Sequence, residues 1–295
     1  MKLLKKFIDF FGYWLVGRQF IAGRTRKEMF ARARKLQAQG FEITINLLGE
    51  HYRDRALVEK TVQEYIAVIN EIPKELGRGS VAVKPSQIGV EISQEYCRQN
   101  LRIILEHAHK NNVGLEIDIE NSKYATSTYI LFRYFSNQSP YHNLIRLAVQ
   151  VNNPDMAQHY YSFSLFRHNI RLVKGGAYTG EAIVDEDIIR QRFIDIAKDF
   201  LKERIFQSDE PLYLATVRDR KLVKLIKAEM PDNRNLNPSW KFQMLYGPWR
   251  SLQNNLLAQG YPVVMYLPYG EEWIAYGIRR WRFILKTLKQ TIRPH

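Results

Sequence analysis

A short apolar, β-branched run, closed by a polar residue and followed by a helix-forming stretch, recurs eight times along this chain, and few folds accommodate such a pattern. The runs are Phe41–Leu48, Ser80–Lys84, Val113–Ile119, Leu144–Val151, Asn169–Lys174, Pro211–Thr216, Trp240–Leu245 and Tyr261–Tyr266. The helical stretches are Asp54–Ile72, Gln94–Asn111, Ser122–Phe135, Asp155–Phe166, Glu186–Ile205, Arg220–Glu229, Arg250–Gln259 and Glu272–Lys289. A repeat of very roughly 35 residues is what a strand, a crossover helix and two turns require. Eight such units in about 250 residues predict an α/β fold, a TIM-like (β/α)8 barrel. A doubly wound open sheet is the weaker choice, because the chain has no Gly-x-Gly-x-x-Gly fingerprint.

No Ser, Gly or Pro-rich linker divides the 295 residues. The expected organisation is an N-terminal helical segment over 1–39 and the barrel over 40–295. Thr25–Gln39 reads as an amphipathic helix with Met29, Phe30, Ala33 and Leu36 on one face and Gly40 as its stop. The first 20 residues join lysines to Phe7, Phe10, Phe11, Tyr13, Trp14 and Leu15. Two readings of that stretch stand level: a basic, aromatic helix lying in a membrane interface, or a helix capping one end of the core. The apolar run from Phe10 to Val16 is too short to span a bilayer, and no small-residue cleavage site follows it.

A net charge of +14 implies an anionic partner: nucleic acid, an acidic membrane surface or an acidic ligand. No RNP pair, zinc finger or recognition-helix pair is present, so no specific nucleic acid is expected. The single cysteine, Cys97, excludes a disulfide framework and a multi-thiolate zinc site. It fits a cytoplasmic, reducing compartment, with peripheral attachment to the inner face of the membrane as the accompanying option. Glu106-His107-Ala108-His109 is a loose metal-like pair, but residues two apart on a helix diverge, so no metal site is expected.

Barrel enzymes carry their chemistry where the strands end. Here the ends supply Glu50, Lys84, Asp118, Glu120, Gln150, Arg171, Lys174, Thr216, Gln243 and Tyr266. After Tyr266 a Pro-Tyr-Gly turn breaks the strand, and the next helix presents Tyr276, Arg279 and Arg280 on one side. Adjacent guanidiniums repel, and each offers a planar fork that matches a carboxylate. The pattern reads as a carboxylate clamp roofed by tyrosines; its plain alternative is a solvated basic helix face.

Several segments then stand in a recognisable order. They are Leu47-Leu48-Gly49-Glu50, Val81-Ala82-Val83-Lys84-Pro85-Ser86, Ile117-Asp118-Ile119-Glu120, Arg171-Leu172-Val173-Lys174-Gly175, Phe242-Gln243-Met244-Leu245-Tyr246-Gly247 and Tyr266-Leu267-Pro268-Tyr269-Gly270, with Tyr276 and Arg279-Arg280 beyond. On these the chain, from about residue 20 to 282, resembles the flavin-dependent proline dehydrogenases, particularly the short bacterial single-function type. The resemblance implies oxidation of L-proline to 1-pyrroline-5-carboxylate by hydride transfer to FAD, with electrons passed on to a membrane quinone. It implies that Lys84, Arg279 and Arg280 hold the substrate carboxylate, and that Tyr266, Tyr276, Tyr178 and Leu245 line the ring. Glu50 is expected to pair with Arg279 as a gate, and Asp118 to hold Lys84. On the cofactor side the resemblance implies Gln150, Arg171, Lys174, Gly175, Gly176, Ala177, Thr216 and Arg280.

The departures bear on that cofactor side. A second glycine follows Lys174, so Gly175 and Gly176 compete for one family position. Ala215-Thr216 are followed by Val217-Arg218 where the family has a histidine, and Arg218 would meet the pyrophosphate instead. Lys241 and Phe283 replace acidic residues. These changes predict weakened FAD affinity. They keep alive an alternative in which a barrel of the same descent binds a carboxylate without tight FAD, as a binding or regulatory protein. A third option, a basic scaffold for membrane or nucleic acid, does not explain why Lys84, Asp118, Tyr276, Arg279 and Arg280 occur together.

Overall fold

The computed structural model describes residues 13, 17–120, 122–155, 165–175, 182–204, 210–216, 219–232, 234, 238–247, 250–274 and 276–278. Within them, eight parallel strands pair in sequence order and close into a barrel. They are β1 (Glu42–Leu47), β2 (Ser80–Val83), β3 (Gly114–Ile117), β4 (Ile145–Gln150), β5 (Asn169–Val173), β6 (Leu212–Ala215), β7 (Trp240–Leu245) and β8 (Val263–Tyr269). Around them stand α1 (Arg26–Gln37), α2 (Arg55–Leu76), α3 (Gln94–Lys110), α4 (Ser122–Ser136), α5 (Glu186–Arg204), α6 (Arg220–Glu229) and α7 (Arg250–Ala258). The expected barrel is therefore present. The helix expected over Asp155–Phe166 falls largely outside the described residues, apart from a 3-10 turn at Leu165–Arg167. Of the last helix, 273–274 and 276–278 are described as helical.

Alternation along each strand explains the two layers. Ile43, Ile45, Val81, Val83, Leu115, Ile117, Leu147, Val149, Leu172, Leu214, Phe242, Met244, Met265 and Leu267 join one core with the helices. Their neighbours of opposite parity face the barrel interior, and many are polar: Thr44, Asn46, Glu116, Arg146, Gln150, Arg171 and Gln243. The local starts are equally legible. Thr25 caps α1 in a capping box with Glu28, Asp54 caps α2 through the Ala56 N–H at 2.9 Å, and Ser93 caps α3. Met29, Phe30, Ala33 and Leu36 of α1 are buried in the barrel's own core.

One boundary corrects the sequence reading. The last strand does not end at Tyr266 in a Pro-Tyr-Gly turn; β8 runs to Tyr269 with Pro268 inside it. A proline is tolerated in a strand only where its missing N–H is not needed. Tyr269 O accepts from Leu48 N at 2.8 Å on the β1 side, whereas Pro268 O accepts from Ala22 N at 2.7 Å. Carbonyl and nitrogen of one strand residue share a side, so Pro268 withholds its donor from the incoming segment and not from β1. Gly270 N then donates to Gly23 O at 3.1 Å, so residues 22–23 run alongside the end of β8. No described helix is long and apolar enough to cross a membrane.

Candidate active site

The strand ends converge on Asp118. It directly follows β3, and its N–H still donates to Val83 O at 2.9 Å, which extends the ladder by one residue. Arg171 Nη1 of β5 donates to Asp118 Oδ1 at 2.6 Å, and the Tyr266 hydroxyl of β8 donates to Asp118 Oδ2 at 2.5 Å. The Arg171 guanidinium carbon also lies 4.5 Å from the centre of the Tyr266 ring. Burial alone would lower the guanidinium's pKa, but Asp118, Tyr266 and Glu116 outweigh it and raise it, so Arg171 is cationic. Burial and then the Asp118 charge push the Tyr266 phenol well above its ordinary range, so it stays protonated and acts as a donor.

Lys84 stands close by, but Asp118 does not hold it. Lys84 Nζ donates to Asn46 Oδ1 at 2.8 Å and to Leu47 O at 3.4 Å. Both Asp118 oxygens are engaged elsewhere, by the guanidinium from across the barrel and by the phenol, so the expected Asp118–Lys84 pair is replaced by Asp118–Arg171. Lys84 is set by the turn that follows it. Pro85 opens a 3-10 turn over Pro85–Gln87, and Glu120 clamps that turn by accepting from Ser86 N at 2.9 Å and Ser86 Oγ at 2.5 Å. Burial raises the Glu120 pKa, against those two hydrogen bonds.

Glu50 is half-buried on the loop after β1. Its neighbour Gly49 has φ +131, and a Cβ there would stand 1.8 Å from the Tyr52 hydroxyl, so only glycine fits. Tyr52 in turn donates to Glu272 Oε1 at 2.6 Å, tying this loop to the segment beyond β8. Tyr276 is buried with Phe20, Ile21, Leu48 and Trp273. Arg279, Arg280 and Tyr178 lie outside the described residues, so the clamp and the Glu50–Arg279 gate remain readings of the sequence. Leu245, the last residue of β7, is half-buried at the same rim.

On the adjoining arc stand Gln150 at the end of β4, Arg171 within β5 with Lys174 just past it, and Thr216 just past β6. Gln150 Nε2 donates to Ile119 O at 3.2 Å, but its Oε1 is buried without a hydrogen-bond partner, as are Arg171 Nε and Thr216 Oγ1. These three atoms lie on neighbouring strands, and others of the same kind, such as Arg146 Nε and Gln243 Oε1, lie deeper in the barrel. Gly175 has φ +114 and would press a Cβ to 1.9 Å from Asn152 Oδ1, so this stretch of backbone has no room for a side chain. The Lys174 ammonium is turned to the outer helices, donating to Glu186 and to Asp219 Oδ2, the latter at 2.6 Å. Its side chain therefore serves the scaffold, and only its backbone remains for a cofactor. Gly176, Ala177, Val217, Arg218 and Phe283 lie outside the described residues.

Lys241 does not belong to the cofactor side. It stands second in β7, two residues and one interior layer below Gln243, and donates to Glu42 at 2.7 and 2.9 Å. Its charge is matched at the opposite end of the barrel, so it gives no reason for weak FAD binding. Three groups were missed by the sequence reading: Asn46, which receives Lys84; Tyr52; and Glu116, fully buried beneath Asp118. A charged residue in mid-strand at an interior position was the available signal for Glu116. Among the described residues no group of three or more metal-ligating side chains is placed to hold a metal ion.

Comparisons with known proteins bear on family and fold. Residues 29–188 match the family model of proline dehydrogenase. The chain is 27% identical over 279 residues to proline dehydrogenase 1 of Bacillus subtilis subsp. natto, covering 95% of this chain and 90% of the relative. It is 26% identical over 276 residues to the proline dehydrogenase of Deinococcus radiodurans, covering 90% and 86%. The solved structure of proline utilization A (PutA) from Bdellovibrio bacteriovorus, inactivated by N-propargylglycine, superposes with a TM-score of 0.77 at 19% identity. That match covers 89% of this chain but 32% of the larger one, and at such identity it is a likeness of fold. By the family model and the near full-length relatives together, the chain belongs to the proline dehydrogenase family.

Proposed function

We propose that the chain is an FAD-dependent enzyme that oxidises L-proline to 1-pyrroline-5-carboxylate and passes the electrons to a quinone. The observation that carries this reading is the buried Arg171–Asp118–Tyr266 assembly, with partnerless polar atoms of Gln150, Arg171 and Thr216 beside it. A charged group on one side and unspent hydrogen-bonding capacity on the other are what a substrate and a polar cofactor edge need. Gln150, Arg171, Thr216 and the backbone at Lys174 and Gly175 would hold FAD, joined by Gly176, Ala177, Arg218 and Arg280. Bound FAD supplies the hydride acceptor.

The protein's own part is binding, orientation and exclusion of water. Proline's carboxylate is taken by Lys84, Arg279 and Arg280, whose combined charge orients the ring as well as attracting it. Tyr266, Tyr276, Tyr178 and Leu245 wall the methylene edge. The ring carbon beside nitrogen gives up a hydride and the nitrogen a proton, leaving a C=N bond. Asp118 holds both Arg171 and the Tyr266 hydroxyl, so the substrate wall and the cofactor arginine are set by one carboxylate. Closure of Glu50 on Arg279 would exclude water during transfer. Delivery of electrons to a quinone calls for contact with a membrane surface, which the basic, aromatic N-terminal residues suit.

The deciding measurement is the visible spectrum of the purified protein before and after anaerobic L-proline. A flavin band that bleaches on addition supports cofactor, substrate and hydride transfer together. A colourless protein that neither takes up added FAD nor reduces it would sink the reading.

A further inference from the structure

We propose that Glu116 is a positioning residue for the cofactor side of the site, fixing the Arg171 guanidinium from beneath and acting only through that arginine. The inference rests on the reading of Arg171 as a cofactor-side group. Glu116 lies on β3 two residues before Asp118, one interior layer deeper, and is 0% exposed. Its Oε1 accepts from Thr44 Oγ1 at 2.9 Å and from Ser80 Oγ at 3.5 Å. Gln243 Nε2 donates to both oxygens at 3.0 Å, and Arg171 Nη1 lies 3.4 Å from Oε2. Arg146 Nη1 stands 3.9 Å from Oε1. Five strands, β1, β2, β4, β5 and β7, thus converge on one carboxylate.

Barrel layers are ordinarily filled by branched aliphatic side chains. Burying a carboxylate is costly, and an apolar layer of the same volume is often as stable or more so. Part of the carboxylate's work is to balance the buried Arg146 and Arg171 cations. The charge also supplies geometry. Arg171 Nη1 stands between Asp118 Oδ1 at 2.6 Å and Glu116 Oε2 at 3.4 Å, with the Tyr266 ring against the guanidinium. Asp118 cannot fix the group alone, because its other oxygen is taken by Tyr266 and a single contact leaves the fork free to turn. With the second carboxylate in place the plane of the fork is set, and Nε keeps a donor that none of the described side chains takes.

The test is Glu116→Gln, which keeps volume and removes charge, read by titrating FAD into the apoprotein and by steady-state kinetics. The Kd for FAD is expected to rise about tenfold, or about 1.4 kcal/mol. Turnover should fall with it while KM for L-proline holds, because Lys84, the described member of the proposed carboxylate-binding set, bonds Asn46 and Leu47 and not Glu116. In an Arg171→Lys background the same change should add less than about twofold to either quantity. A lower thermal midpoint with unchanged Kd and turnover would make Glu116 merely structural and overturn the proposal, and so would additive effects in the double variant. If Glu116→Gln fails to fold, Thr44→Val removes one hydrogen bond to Oε1 and keeps the charge. It should move Kd and turnover the same way by about two- to threefold, and no change would count against the role. Wild-type protein that takes up no FAD would fell the underlying reading and this one with it; a wild type and variant that bind FAD equally would fell this one alone.

Discussion

Asp118 holds two partners from opposite sides of the barrel, so its replacement should be felt twice. Its side chain is 12% exposed and that of Arg171 11%, and removing one member of such a pair strands the other charge. Asp118→Asn is expected to destabilise the fold by about 3 kcal/mol in urea denaturation. It should also lower turnover about 10²-fold, because the Arg171 fork and the Tyr266 phenol lose their common anchor. Loss of stability with normal turnover would remove Asp118 from the site. Arg280→Met tests the other end of the substrate: KM for proline should rise about 10- to 100-fold with the thermal midpoint held, as befits a charge-assisted contact. A wild-type KM would end the assignment. The sequence disclosed Asp118, Arg171 and Tyr266 as strand-end groups but not who pairs with whom. Pairing depends on reach across the barrel, and Lys84, beside Asp118 on the next strand, turned instead to Asn46. Mid-strand Glu116 was passed over because attention to strand ends ignores the layer that supports them.

The eight strands were legible because each is a short, largely apolar run with a polar residue at or near its end, and the helices because amphipathic stretches separate those runs. What was not legible is how the units are tied. Asp219, just past β6, caps α6 through the Leu222 N–H at 3.0 Å and accepts from Lys174 Nζ at 2.6 Å and Arg190 Nε at 2.7 Å. It binds the end of β5 to α5 and α6. Burial would raise the Asp219 pKa, but Lys174, the cap N–H and Arg190 outweigh this and lower it. Its contribution is therefore present at neutral pH and lost as pH falls through the depressed value. Asp219→Ala should cost about 2 kcal/mol at pH 7, from the cap and the stranded cations. The gap to wild type should narrow as the wild-type carboxyl takes up its proton in acid. A gap that stayed constant to low pH would mean that the carboxylate's charge is not what matters. The end of β8 was misjudged for a related reason: proline ends a strand only when a neighbour needs its N–H, and here the neighbour is residue 22, far off in sequence.

At the scale of the whole molecule, the open question from the sequence was whether the amino-terminal residues cap the core or lie on a membrane. The described ones among them pack against the rest of the chain. Gly17 and Phe20–Ala22 are buried, Tyr13 packs edge-on against Trp273 at 5.7 Å, and Phe20 and Ile21 share a cluster with Leu48 and Tyr276. That cluster joins the loop that carries Glu50 to the helical residues that carry Tyr276, so it backs both sides of the site mouth. Residues 1–12 lie outside the description, and they hold Lys2, Lys5, Lys6, Phe7, Phe10 and Phe11, the basic and aromatic set that suits an anionic interface. The two readings therefore separate along the chain, and two truncations resolve them. Removal of residues 1–12 should weaken sedimentation with anionic vesicles and leave the thermal midpoint near that of the full chain. Removal of residues 1–20 deletes Phe20, whose truncation alone is worth about 3–5 kcal/mol, so the midpoint should fall by on the order of 5–15 °C. The KM for proline should rise with it, because Leu48 and Tyr276 lose a member of the cluster they share. If the longer truncation melts like the full chain, the segment is no cap. If the shorter one binds vesicles undiminished, the basic aromatic stretch has no part in membrane contact, and the surplus positive charge must act elsewhere on the barrel.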